Sequence, residues 1–299
     1  MFMNTHAPLS RRHILGVSAA AAATAVFGAA PANATGVART VRLGTIGLSF
    51  HRASAAVVRL LLKRAGYRVQ DTEAPHEELF AAFGRHDIDL AVSAWLPGSH
   101  GRYVEPIREH VREMGKLYEP YALWGVPDYV PADQVSSVAD LTTPEVAARM
   151  TKVVQGIGPG AGISRFSREI FAAYNLEALG YEFRNGTQQE CEQAFETAVA
   201  ERRWVVVPLW QPQHLHQIHR IRELAEPQGL LRGKDTATLL ARRELRLDPL
   251  TTRALTRMHL GNAAVTEMDY AINRQGRTPD LAASEWVSRN RRTVLSWYR

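Results

Sequence analysis

One cysteine, Cys191, stands among 299 residues, so no intrachain disulfide can form. The fold has to rest on burial and hydrogen bonding alone. Cys191 falls in the helically patterned QQECEQAFETAV, with no base close in sequence. A small buried residue fits that setting better than a nucleophile. The chain also lacks G-x-S-x-G, H-E-x-x-H and P-loop patterns, which removes common hydrolase, zinc-protease and nucleotide signatures. His214, His216 and His219 form H-x-H-x-x-H, but no Cys, Asp or Glu cluster completes a metal set. They read as surface or cleft-rim histidines. The net charge of +6 is scattered, as at Arg108, Arg112, Arg202, Arg203, Arg242 and Arg243. No clustered basic stripe suggests a nucleic-acid groove. No metal, cofactor or nucleic acid is expected.

Long apolar runs are also scarce. Only the Ala-rich stretch from Gly16 to Ala30 is continuous, and it is shorter than the roughly 20 residues a membrane helix needs. Ser10-Arg11-Arg12 precedes it, and Ala32-Asn33-Ala34 follows as an A-x-A cleavage site. Residues 1–34 therefore read as a twin-arginine signal peptide. Cleavage after Ala34 leaves residues 35–299 in a periplasmic or extracytoplasmic space, not embedded in the membrane. Thr35, not a cysteine, stands directly after the cleavage point, so no lipoprotein anchor is expected.

The rest of the chain alternates strand and helix patterns. VRLGTIGL, YRVQDTEA and IDLAVSAWLP read as strands separated by helices, a β-α-β-α-β unit with a parallel sheet. A second such half starts at Thr151 and ends in WVVVPLW. The expected fold class is α/β, with two lobes and a cleft between them. The boundaries read as lobe 1 over 35–125, lobe 2 over 126–233, and C-terminal helices over 234–299 returning to lobe 1. That tail begins with TATLLARRELR, read as helical, and DLAASEWVSRN, read as capped by Asp280. Glu105, Glu109 and Glu113 read as a solvated helix face with Arg108 and Arg112.

Each half closes its last strand in the same way, with AWLP and PLWQP. Trp95 and Trp210 thus sit at carboxyl ends of strands, where open α/β sheets bind ligands. His100 follows Trp95 by five positions. The loop QGIGPGAGI places Gly156, Gly158, Gly160 and Gly162 between a strand and a helix. Bare backbone N–H groups and a helix N-terminus make that loop an anion site, better suited to a carboxylate than to a dinucleotide. Trp204, Trp286 and Trp297 read as packing residues, and Trp124 is ambiguous.

AWLPGSH, GIGPGAGI, WVVVPLWQPQH and the tail ASEWVSRNRRTVLSWY occur together and in order. By these the chain resembles the substrate-binding proteins of ABC importers for glycine betaine and related quaternary amines, over nearly all of residues 40–299. The resemblance implies a two-lobed, Venus-flytrap periplasmic-binding-protein fold, type II-like, acting as a monomer with an ABC permease and its ATPase. Its ligand would be a small zwitterion. Trp95 and Trp210 match two walls of the family's aromatic box. Gly156 and Ile157 match its backbone carboxylate donors, and His100 matches its histidine donor. One departure matters. Leu48 stands where the family has a third tryptophan, with Phe50, Tyr118, Tyr121 or Trp124 as possible replacements. A second is WQPQH, in which Gln213 and His214 replace His-Trp. Two other readings are an exported enzyme acting on a small carboxylate, with His100 and His51 as the only nearby bases, and a sensor feeding a membrane signalling partner.

Overall fold

The computed structural model describes residues 39–299; the signal expected over residues 1–34 lies outside the described residues. The first part runs β1 (Thr40–Ile46), α1 (Ser49–Arg64), β2 (Arg68–Ala74), α2 (His76–Gly84), β3 (Leu90–Leu96), α3 (Gly101–Val104) and β4 (Val111–Tyr118). Next come β5 (Tyr121–Pro127), α4 (Pro144–Arg149), β6 (Val153–Gln155), α5 (Gly162–Ala173), β7 (Glu182–Arg184), α6 (Gln188–Ala200), β8 (Val207–Gln211), α7 (Leu215–Ile218) and β9 (Ile221–Glu223). The chain ends with β10 (Thr236–Arg242), α8 (Pro249–Arg257), α9 (Gly261–Arg274), α10 (Pro279–Arg289) and α11 (Arg291–Ser296).

Two lobes result. The first carries a five-stranded sheet in the order β2-β1-β3-β10-β4. Strands β1, β2 and β3 run parallel, as helical crossovers dictate, and β10 is antiparallel to both β3 and β4. α1 buries Ala53, Ala56, Val57 and Leu61 and packs on α9 and α10. Lys63 and Arg64 in its last turn suit the negative end of the helix dipole, and Gly66 leaves it at a φ of +86°. The second lobe holds the antiparallel sheet β8-β5-β9 and the parallel pair β6-β7, with α5 and α6 packed against them. α6 starts at a capping box: Glu190 N–H donates to Thr187 Oγ1, and Thr187 N–H donates to Glu190 Oε2.

The chain crosses between the sheets twice, from β4 to β5 and from β9 to β10. The two crossings run side by side, joined by Asp235 N–H donating to the Pro120 carbonyl at 2.8 Å and by a bridge between Tyr121 and Lys234. The boundary expected between residues 125 and 126 falls inside β5, which pairs only with strands of the second sheet.

Three local expectations fail. TATLLARRELR is not helical: Thr236–Arg242 is β10, paired on both edges. A short apolar run looks alike in a buried helix and a central strand, and here pairing with β3 and β4 decides for strand. Glu105, Glu109 and Glu113 do not share a helix face, because a 3₁₀ turn over Glu105–His110 gives way to β4 at Val111. Arg108 still pairs with Glu105. The cap of α10 is Thr278, which accepts from Leu281 N–H, and Asp280 instead meets Arg59.

Candidate ligand-binding cleft

β3 buries all of its residues up to Trp95 and then turns sharply through Pro97-Gly98-Ser99 into α3. Asp235, on the returning crossover, holds this turn: its carboxylate accepts from Gly98 N–H (2.6 Å) and Ser99 N–H (3.0 Å). His100 closes the turn on itself. Its backbone N–H donates to the Trp95 carbonyl at 2.8 Å, and its ring Nδ1 accepts from Trp95 N–H at 2.8 Å. The Trp95 indole N–H is shared by Ser93 Oγ (3.2 Å) and Tyr118 Oη (3.1 Å). On the other side, Trp210 lies in β8 opposite Ala122 of β5 and is almost fully buried.

The structure brings Trp95 and Trp210 together around Phe50, the first turn of α1. The Phe50 ring centroid lies 5.3 Å from that of Trp95 and 5.5 Å from that of Trp210. Phe50 is thus the third ring of this cluster. Leu48 lines the same cavity as an aliphatic edge. The other aromatic alternatives are placed elsewhere. Trp124 is wholly buried and donates to Ser167 Oγ, Tyr121 bonds Glu223 at an exposed position, and Tyr118 stands behind Trp95. The cavity enclosed by Leu48, Phe50, Trp95, Ile157, Ile163 and Trp210 is only about 20 Å³, room for one water-sized group.

The glycine loop borders the same cavity, with one correction to the expected donors. Gly156 N–H donates to the Arg184 carbonyl at 2.8 Å, so it extends the β6-β7 pairing and is not a free donor. The Ile157 amide has no partner among the described residues, and Ile157 lines the cavity. Gly162 opens α5 beside it with no side-chain cap. A Cβ on Gly162 would stand 2.8 Å from Ser99 Cβ and 2.9 Å from Ser99 Cα, so the two lobes touch there because the residue is glycine. Arg165 and Tyr103 seal this edge: Arg165 donates to the carbonyls of Ser99 and Gly160 (2.6 Å each), and Tyr103 Oη donates to that of Gly160 (2.9 Å).

Three histidines back the cavity. His51 Nδ1 meets Ser93 Oγ at 3.0 Å, and His76 Nδ1 meets His100 Nε2 at 2.9 Å. Burial keeps all three uncharged. It pushes His76 down to about 4 and His51 and His100 well below the usual imidazole range, with help from the neighbouring histidines and Arg165. Burial also raises Tyr118 to about 12. His100 thus lies at the site, but both ring nitrogens are engaged within the protein.

Beside the aromatic cavity, and sharing Leu48, His76 and Ile157 with it, lies a larger cleft of about 790 Å³ between the lobes. A polar clasp crosses its floor. Ser49 Oγ of α1 donates to Asp269 Oδ1 of α9 at 2.5 Å, and Ser49 N–H donates to Gln188 Oε1 of α6 at 2.9 Å. Asp269 Oδ2 accepts from His214 N–H at 2.8 Å and faces His214 Nδ1 at 3.2 Å. Glu192 accepts from Gln188 (2.8 Å) and Gln213 (3.2 Å), and burial raises its carboxyl above the usual range against the pull of His214. His214 therefore belongs to this buried clasp, while His216 bonds the Trp210 carbonyl and His219 meets Glu196. No group of three or more His, Cys, Asp or Glu side chains among the described residues is arranged to hold a metal.

Residues 39–289 match the family described as the substrate binding domain of ABC-type glycine betaine transport system. The chain belongs to this family. Its fold is the two-lobed periplasmic-binding-protein fold. Lactococcal OpuAC, solved in a closed form with glycine betaine, superimposes with a TM-score of 0.77 at 23% identity, over 87% of this chain and 100% of that one. A glycine betaine/L-proline-binding protein from Borrelia burgdorferi gives 0.78 at 20% identity, over 87% and 97%. A glycine betaine/carnitine transport binding protein of Listeria monocytogenes is 20% identical over 154 residues. The chain spans about half the length of that curated relative, 51% of each. No helix of the described residues is long and apolar enough to cross a membrane.

Sequence reasoning missed His76, Ser93, Asp235 and Asp269. His76 was within reach, since it opens α2 directly after β2, at the same sheet edge as Trp95. Asp235 and Asp269 gave no local signal, because each acts on a segment more than fifty residues away.

Proposed function

We propose that this chain is the extracytoplasmic receptor of an ABC importer and captures a small quaternary-ammonium zwitterion, glycine betaine or a near relative. The observation that carries this reading is the group of three rings, Phe50, Trp95 and Trp210, contributed by both lobes. A trimethylammonium group has no N–H to donate and spreads its charge over methyls. Aromatic faces suit it, at about 0.5–2 kcal/mol per ring once water is excluded. The unpartnered Ile157 amide and the start of α5 suit the carboxylate. The cavity of about 20 Å³ is too small for such a ligand, so binding requires the lobes to part and close again. The paired crossovers at Pro120 and Asp235 serve as the hinge, with closure a population shift driven by contacts to both lobes.

In this reading the partners are an ABC permease and its ATPase, the receptor acts as a monomer, and residues 1–34 direct export and are removed. Lobe 1 ends at the hinge near Pro120, and the tail after Gly233 rejoins it. The protein is a binder and not an enzyme. Ser93, the serine beside His51, is buried behind Trp95 and shared with Tyr118, out of reach of a ligand. Isothermal titration of residues 35–299 with glycine betaine, choline, carnitine, proline and ectoine tests the reading. Saturable binding of a betaine supports it, and silence across the panel refutes it.

A further inference from the structure

We infer that His76, not His100, is the histidine that donates to the ligand carboxylate, and that His100 acts as its positioning residue. The inference rests on the betaine reading above and names a further group in the same site. The argument is a chain of forced hydrogen-bond roles. A backbone N–H can only donate, so His100 Nδ1, 2.8 Å from Trp95 N–H, is an acceptor without a proton. The neutral His100 ring then carries its proton on Nε2. That proton points at His76 Nδ1, 2.9 Å away, which must accept. The neutral His76 ring is left with its proton on Nε2. That N–H has no partner among the described residues, while His76 borders both the aromatic cavity and the larger cleft.

The tautomers of both rings are thus set from one backbone amide, through two imidazoles, to one donor at the cleft. The relay works only while both rings are neutral. Their burial keeps them so, and a protonated His76 would set N–H against N–H. Placing the donor one ring further out also explains why His100, for all its match to the family motif, is spent inside the protein. The cavity wall carries no carboxylate, so a net-neutral zwitterion meets an N–H donor there and no acidic counter-ion for a plain cation.

The test is calorimetric titration of glycine betaine into wild type, His76→Ala and His76→Gln, with ¹⁵N–¹H correlation of the histidine rings in wild type. A hydrogen bond to a charged acceptor is expected to be worth about 10- to 100-fold in Kd. His76→Ala should lose that factor. His76→Gln, whose amide can still donate near the Nε2 position, should recover most of it. Both His76 and His100 should appear as Nε2–H tautomers, and betaine should shift the His76 proton alone. Unchanged affinity in His76→Ala overturns the inference. So does a His76 ring protonated on Nδ1, which would aim its donor at His100. Wild type that ignores glycine betaine removes the betaine reading itself, and with it this assignment.

Discussion

Trp95 and Trp210 occupy equivalent strand ends, each two residues before a proline and four or five before a histidine, yet the two turns are wired differently. Behind Trp95 lies a neutral network of Ser93, Tyr118, His51, His76 and His100, with the indole N–H satisfied twice. Behind Trp210 lies a network that contains two carboxyl groups, Asp269 and Glu192, and the Trp210 indole N–H has no partner among the described residues. The Trp95 side stays within the first lobe and shapes the site. The Trp210 side spans both lobes, through Ser49, Gln188, Asp269 and His214, and holds them together. One sequence device is therefore wired within a single lobe at Trp95 and across both lobes at Trp210.

The sharpest way to break the contrast is at Asp269. Asp269→Ala leaves the His214 N–H without its acceptor in a fully buried place and takes one of the two partners of Ser49 Oγ, which keeps only Gln188. Removing one partner from such a network should cost about 3–5 kcal/mol, read by chemical denaturation, and scattering should show the lobes opening. A comparable loss is not expected from Trp95→Phe, which removes one indole donor from the other network and no carboxylate.

Acid separates the two sides by sign. The His76 imidazole titrates near 6.5 when unfolded and is held to about 4 in the fold. Its folded value is depressed, so the stability it contributes above pH 6.5 is lost as the pH falls toward 4, by about 3 kcal/mol. His51 and His100 shift the same way. Glu192 is raised above 4.5 by burial, so its cost appears as the pH rises and is relieved in acid. Urea midpoints at pH 7 and pH 4.5 should show a net fall in wild type and a smaller fall in His76→Gln.

At the rings themselves, Trp95→Ala should weaken betaine binding by about 2 kcal/mol, close to 30-fold, by calorimetry. A change at Trp286, which stacks on Trp297 away from the cleft, should leave affinity alone. The smallest test compares phenylalanines. Trp95→Phe removes an indole donor shared by two buried oxygens and should cost about 1 kcal/mol more stability than Trp210→Phe, whose indole N–H bonds none of the described residues.

The sequence made the alternation of strand and helix legible, and it put both tryptophans on carboxyl strand ends, because period and turn chemistry are local. It left Phe50, Tyr118, Tyr121 and Trp124 open as replacements for the missing third tryptophan, and only packing sets Phe50 beside both Trp95 and Trp210. Gly156 matched the donor motif, but its amide was already bonded across to Arg184, a partner 28 residues on. β10 was misread because its strand character comes from two neighbours distant in sequence. The histidine relay and the carboxylate clasp were invisible for the same reason: each joins residues whose only link is the fold.

The most direct measurement is a crystal structure of residues 35–299 with the tightest ligand of the panel. The account predicts the quaternary nitrogen within about 6 Å of the Phe50, Trp95 and Trp210 ring centroids, with the carboxylate on the Ile157 amide. A ligand seated instead among Gln188, Glu192 and Asn273 in the larger cleft, with the three rings still closed on one another, would contradict it.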